Sequence, residues 1–130
     1  LPARQVEMAE AMAADFVVVA VPGSPATHHL IDAKALGMMK KTGIFVNISR
    51  GDVVDEHALI DALQQGRIAG AGLDVYEFEP KVPVALMAME NVTLLPHLGT
   101  ACLEVREDMG MMAVANLVAW AEGRDLPNRV

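Results

Sequence analysis

Four short apolar runs recur along the chain with helix-forming segments between them, and this alternation constrains the fold more than any other feature. "FVVVAV" (16–21), "GIFVNI" (43–48), "AGAGLDV" (69–75) and "NVTLLP" (91–96) are continuous rather than alternating in character, the first almost wholly β-branched. Continuous runs of this kind are the signature of strands buried on both faces, as in a parallel sheet sandwiched between helices. Residues 4–14 set Ala and Met on one helical face. Asp32 is suited to cap a helix over 33–40 with Lys40 and Lys41 at its end, and Asp55 one over 56–65 that Gly66 stops. A last and longest helix is expected over 101–122, ending at Gly123. Strand–helix–strand units of this length make right-handed crossovers and a parallel sheet. The expected fold is therefore α/β, in the order β-α-β-α-β-β-α. Segment 77–91 departs from the pattern and reads as a loop with one helical turn near Val84–Ala88, and loops of that length in a compact domain are usually functional.

At 130 residues the chain has the size of one ordinary domain or a piece of a larger one. Its apolar runs are too short to span a bilayer, and no basic segment precedes an apolar one in the manner of a secretory signal. The single cysteine, Cys102, rules out an internal disulfide and any CxxC metal or redox site. These features favour a cytoplasmic protein, with no metal and no membrane partner expected. A net charge of −7 argues against nucleic acid, whose phosphates demand clustered Lys and Arg.

If the strands are parallel, their carboxyl ends share one edge, which is where ligands bind in open α/β sheets. Arg50 follows the second strand, Glu79 the third and His97 the fourth. The trio suits the reduction of a 2-keto acid, which needs a proton donor for the carbonyl oxygen, a cation for the carboxylate and a hydride source. Histidine titrates near neutrality and can pass a proton in either direction. A carboxylate beside an imidazole orients the ring and favours its charged form. Arginine offers a planar, bidentate fork that lysine cannot copy. No side chain supplies a hydride, so a nicotinamide must.

"VNISRGDVVDEHALIDALQQGRIAGAGLDVYEFEP" followed by "NVTLLPHLGT" resembles the cofactor-domain half of the D-isomer-specific 2-hydroxyacid dehydrogenases, with the likeness running from about Asp15 to the end. The resemblance is strongest to glyoxylate/hydroxypyruvate reductases. It implies the second half of a Rossmann-like, doubly wound sheet and an enzyme that uses NAD or NADP. It implies that Arg50 binds the carboxylate and keto oxygen of a small 2-keto or 2-hydroxy acid, that His97 is the general acid/base, and that Glu79 pairs with His97. It further implies cofactor contacts from Pro22, Ile48, Ser49, Arg50, Asp74, His97 and Gly99, with Asp74 at the nicotinamide end, and a homodimer. A dinucleotide-binding domain should open with a glycine-rich G-x-G-x-x-G turn, and none occurs; "GAG" at 70–72 lies inside a strand. The expectation is that residues 1–130 are a partial NAD(P)-binding domain from a larger two-domain protein. The glycine turn, the residue that selects NAD or NADP, and the substrate domain are then expected outside this span. Two alternatives share the fold, a dinucleotide-sensing corepressor and an enzyme of the formate dehydrogenase type.

Plainer readings apply elsewhere. His28, His29 and His57 read as loop or helix-surface residues without a role. Cys102 reads as a small, partly buried filler. The methionines cluster on helices, where packing accounts for them, and "CLEVRED" reads as a solvated helix face. Glu77 competes with Glu79 for the catalytic carboxylate, and Pro80 favours Glu79.

Overall fold

The computed structural model describes residues 3–129. Residues up to Pro96 form one compact unit and those from His97 a second. The first runs α1 (Met8–Met12), β1 (Phe16–Val19), α2 (Ala33–Leu36), β2 (Ile44–Asn47), α3 (Glu56–Gln64), β3 (Gly70–Leu73), α4 (Val84–Met87) and β4 (Val92–Leu94). All four strands are parallel and lie in chain order. The expected α/β architecture is therefore present, including the helical turn within 77–91.

The caps explain where the helices start. Asp32 accepts the N–H of Ala35 at 2.8 Å, and Asp55 accepts that of Ala58 at 3.0 Å. Each satisfies a donor that the first helical turn leaves without a partner. Gly66 sits at φ 60° beyond α3, where the sequence places the stop. Helix α2 is shorter than expected. After Leu36, at Gly37, the backbone tightens to bonds three residues back, from Met38 to Ala35 and from Met39 to Leu36. Lys40 accordingly lies beyond the helix and pairs with Asp15 at 2.7 Å. Helix α1 covers only the middle of 4–14, because Glu7 supplies no capping side chain and Met12 alone is buried.

The core lies on one face of the sheet. Val17, Val19, Phe45, Ala71 and Leu73 pack with Met12, Leu36, Leu59, Ala62 and Leu63 from the helices. The other face corrects the expectation of strands buried on both sides. In β1 exposure alternates, and Phe16 and Val18 remain 70% and 55% exposed. The run is apolar on both faces because its composition is written for a two-sided layer, whereas the described residues cover one side.

The second unit comprises a 3₁₀ turn, Leu98–Thr100, and α5 (Leu103–Ala121). Ala119 is its only buried helical residue, and Met109, Met111, Met112, Leu117 and Trp120 are all exposed. Packing accounts for Met12 and Met39 but not for the methionines of α5. "CLEVRED" is solvated, as expected, and Cys102 is exposed at the start of α5 rather than partly buried.

Candidate active site

The register aligns the strand ends. Val19 pairs with Asn47, Asn47 with Leu73, and Leu73 with Leu94, so the carboxyl ends of β1 to β4 finish level along one edge. Pro22 lies three residues past Val19 and Arg50 three past Asn47, while Asp74 follows Leu73 directly. The Asp74 N–H donates to the Asn47 carbonyl at 3.0 Å, extending the pairing of β2 and β3 to the edge.

Asn47 shapes the turn that presents Arg50, and the sequence reading missed it. Its amide oxygen accepts both the N–H and the hydroxyl of Ser49 at 3.0 Å, and its amide nitrogen donates to the Arg50 carbonyl at 3.0 Å. Asn47 is 2% exposed, so every one of its bonds is needed. The local signal was an Asn at a strand end two residues before a Ser, a pattern prone to side-chain-closed turns. The Arg50 side chain is exposed, and one guanidinium nitrogen donates to the Ser49 carbonyl at 2.7 Å.

An open cleft of about 470 Å³ lies against this turn, lined by Ala20, Val21, Pro22, Gly23, Ile48, Ser49 and Arg50. It brings together four of the residues singled out in the sequence: Pro22, Ile48, Ser49 and Arg50. Gly23 leaves room beside Arg50, since a Cβ there would fall 2.9 Å from Cγ of Arg50 and oblige that side chain to shift. The wall beyond Pro22 is closed on itself. The Thr27 hydroxyl donates to the Pro22 carbonyl at 2.8 Å and accepts the Ser24 N–H at 2.9 Å.

Past β3, Tyr76 is the pivot. Its hydroxyl donates to the Leu95 carbonyl at 3.0 Å, just beyond β4, and its N–H donates to the Glu79 carboxylate at 2.8 Å. Burial first, and then the nearby Asp74 and Glu79 carboxylates, push the Tyr76 phenol above its ordinary range, so it stays a donor. Glu77 behaves differently from its neighbour Glu79. One of its oxygens lies 2.7 Å from Nε2 of His29, and the other accepts the N–H of Glu56 at 3.1 Å. The Glu77 N–H donates in return to the Glu56 carboxylate at 3.2 Å. Glu56 is 6% exposed, and burial, reinforced by the Glu77 carboxylate, raises its carboxyl above the usual range. His29 thus lies in a loop, as expected, with Glu77 as a defined partner. No local pattern announces this network, because its members lie 21 and 48 residues apart.

In the second unit His97 is exposed and left-handed, at φ 54° and ψ 52°, and heads the 3₁₀ turn that contains Gly99. It does not cap α5, whose N-cap is Cys102.

A parallel sheet in chain order with helices between its strands, a cleft at the carboxyl edge and an arginine on its rim match one half of a doubly wound, Rossmann-like α/β domain. Residues 1–99 match the family described as D-isomer specific 2-hydroxyacid dehydrogenase, NAD binding domain, and the chain belongs to that family. A glyoxylate reductase from Pyrococcus horikoshii is 49% identical over 116 residues, covering 89% of this chain and 35% of the relative. A glyoxylate/hydroxypyruvate reductase B from Escherichia fergusonii is 51% identical over 111 residues, covering 85% of this chain and 34% of the relative. Among solved structures, the NADPH-dependent glyoxylate/hydroxypyruvate reductase from Sinorhizobium meliloti in complex with NADP and malonate superposes with a TM-score of 0.91. It shares 43% identity and covers 95% of this chain and 39% of its own. The chain thus spans about a third of the length of the curated relatives it matches.

Proposed function

We propose that residues 1–130 are the catalytic-edge half of the cofactor domain of a two-domain oxidoreductase. Its reaction is reversible hydride transfer between NAD(P)H and a small 2-keto acid such as glyoxylate or hydroxypyruvate. The observation that carries the reading is the cleft at the carboxyl edge, which gathers Pro22, Ile48, Ser49 and Arg50 in a chain of this family. The cleft suits a nicotinamide nucleotide: Pro22 and the half-exposed Ile48 offer apolar wall, and Gly23 leaves the floor free of a side chain. When bound, the nicotinamide supplies the hydride.

The chain's own residues do the rest. The Arg50 guanidinium, presented by the Asn47–Ser49 turn, takes the carboxylate and keto oxygen of the acid through its planar fork. His97 delivers a proton to the developing alkoxide in reduction and removes it in oxidation. Glu79 holds the His97 imidazole in its productive orientation. Asp74 addresses the nicotinamide end, while Ser49 and Gly99 complete the cofactor contacts. A homodimer in the cytoplasm completes the proposal. No helix among the described residues is long and apolar enough to cross a membrane. The relatives named above are reductases, which favours neither a corepressor nor formate oxidation.

His97→Gln in the full-length protein tests the assignment. It should lower kcat for glyoxylate by about a hundredfold or more, the range of general acid/base catalysis, while changing cofactor affinity far less. Retained turnover would remove His97 from the mechanism.

A further inference from the structure

Arg50 and Glu79 leave the sheet on segments from different strands, and a shared keto acid requires their spacing to be held. The fastening is visible between the two segments. Gly51, next to Arg50, lies so close to the Tyr76–Glu77 peptide that a Cβ would fall 1.9 Å from the Tyr76 carbonyl. Beside this contact the Glu56 and Glu77 backbones and carboxylates exchange two hydrogen bonds, at 3.1 and 3.2 Å. The remaining Glu77 oxygen reaches His29 at 2.7 Å. His29 is itself fixed to the Arg50 turn, because its N–H donates to the Asp52 carbonyl at 2.8 Å. The backbone of the same loop continues the attachment through Ile31, which pairs with Val53 and Asp55 at 3.0 Å.

We infer that Glu77 is a positioning residue for the keto-acid site, its buried carboxylate fastening the segment that bears Glu79 to the turn that bears Arg50, with His29 as the second anchor. The role rests on the oxidoreductase reading above. A carboxylate suits this point, since it accepts the Glu56 N–H on one oxygen and can accept from the His29 Nε2–H on the other. A carboxylate accepts on both oxygens, whereas an amide would turn its NH₂ toward one of them. The Glu77 side chain is 9% exposed and both of its oxygens are engaged, which leaves it poorly placed to serve an external imidazole. Two carboxylates two residues apart therefore divide the work. Glu79 lies exposed at the edge, and Glu77 sets where that edge stands.

His29 gives the sharper test, because it occupies a left-handed backbone conformation at φ 50° that glycine adopts without steric cost. His29→Gly removes the imidazole anchor while relieving the backbone, so the fold should hold near its parental thermal midpoint. In the full-length enzyme His29→Gly should raise KM for glyoxylate about threefold, and Glu77→Ala about tenfold with a fall in kcat. Both follow from displacing a substrate-orienting group by a fraction of an ångström. NADPH affinity, measured by fluorescence titration, should change less than KM for glyoxylate, since the Ile48 wall of the cleft is held separately, its N–H donating to the Val19 carbonyl at 3.1 Å. A merely structural role would instead lower the active fraction and leave KM where it was. If Glu77→Ala does not fold, His29→Gly decides alone. Folded variants with parental KM for glyoxylate overturn the role of Glu77. A parent that reduces neither glyoxylate nor hydroxypyruvate with NADH or NADPH overturns the oxidoreductase reading, and this role with it.

Discussion

Gly51→Ala probes the tightest surroundings of any glycine among the described residues. The added Cβ would meet Tyr76 C and O at 1.9 Å and the Glu77 nitrogen at 2.3 Å, whereas ordinary contact begins near 3.4 Å. About 1.5 Å of separation must therefore open between two backbones, far more than a rotamer change can supply. Neither side can give way freely. Behind Gly51, Val53 and Val54 are 0% and 3% exposed, and Val54 bridges to Ile31. Behind Tyr76, the phenol is bonded to Leu95 and the N–H to Glu79. Overpacking a well-filled site costs ~1–3 kcal/mol, and backbone against backbone should reach the top of that range, ~3 kcal/mol. The displacement also separates Arg50 from Glu79, and a misplacement near 1 Å can cost ~100-fold in rate. The assay is paired: urea denaturation of full-length parent and variant, and kcat/KM for glyoxylate under conditions where both are folded. A variant within ~0.5 kcal/mol of the parent, with unchanged kcat/KM, would refute the reasoning at its root. The Arg50 turn and the Tyr76–Glu77 peptide would then not touch.

Three further outcomes follow from the same edge and core. Asn47→Ala strips partners from the Ser49 N–H and hydroxyl and from the Arg50 carbonyl, and should cost ~2–3 kcal/mol in a denaturant melt; a loss under ~0.5 kcal/mol would show that the turn does not depend on it. Burial raises the Glu56 carboxyl above 4.5, so the folded chain holds this proton more tightly than the unfolded one. The contribution is full below the unfolded value and is lost as pH rises through the folded value. Glu56→Gln titrates in neither state, so its stability relative to the parent should improve as pH rises above the ordinary carboxyl value of 4.5; a difference that stays flat there contradicts the burial argument. Residues 1–130 expressed alone should self-associate through the open edge of β1 and the exposed Phe16 and Val18, and Val18→Lys should weaken that association. A monodisperse monomer of the parent span in light scattering would be inconsistent with this.

What could be read in advance divides by range along the chain. Asp32 and Asp55 were legible as caps because a cap closes on a donor three residues away, and Gly66 as a stop because one residue's φ decides it. The strands were legible because burial demands continuous apolar runs, and parallel pairing then levels their ends without further information. That is why Arg50 and Glu79 could be assigned to one edge from spacing alone. The Glu56–Glu77–His29 network was not legible. Glutamate and histidine are ordinary surface residues, and only packing between distant segments, beside the close approach at Gly51, brings these three together. The apolar face of β1 and the methionines of α5 mark the opposite limit. Their composition reports burial that the described residues do not provide, so a pattern can state correctly that a face is to be covered without stating by what. On the proposed reading both surfaces belong to contacts of the full-length enzyme. The residues that fix the chemistry then depend on the fastening inside this span, whereas the residues that fix its stability depend on surfaces beyond it.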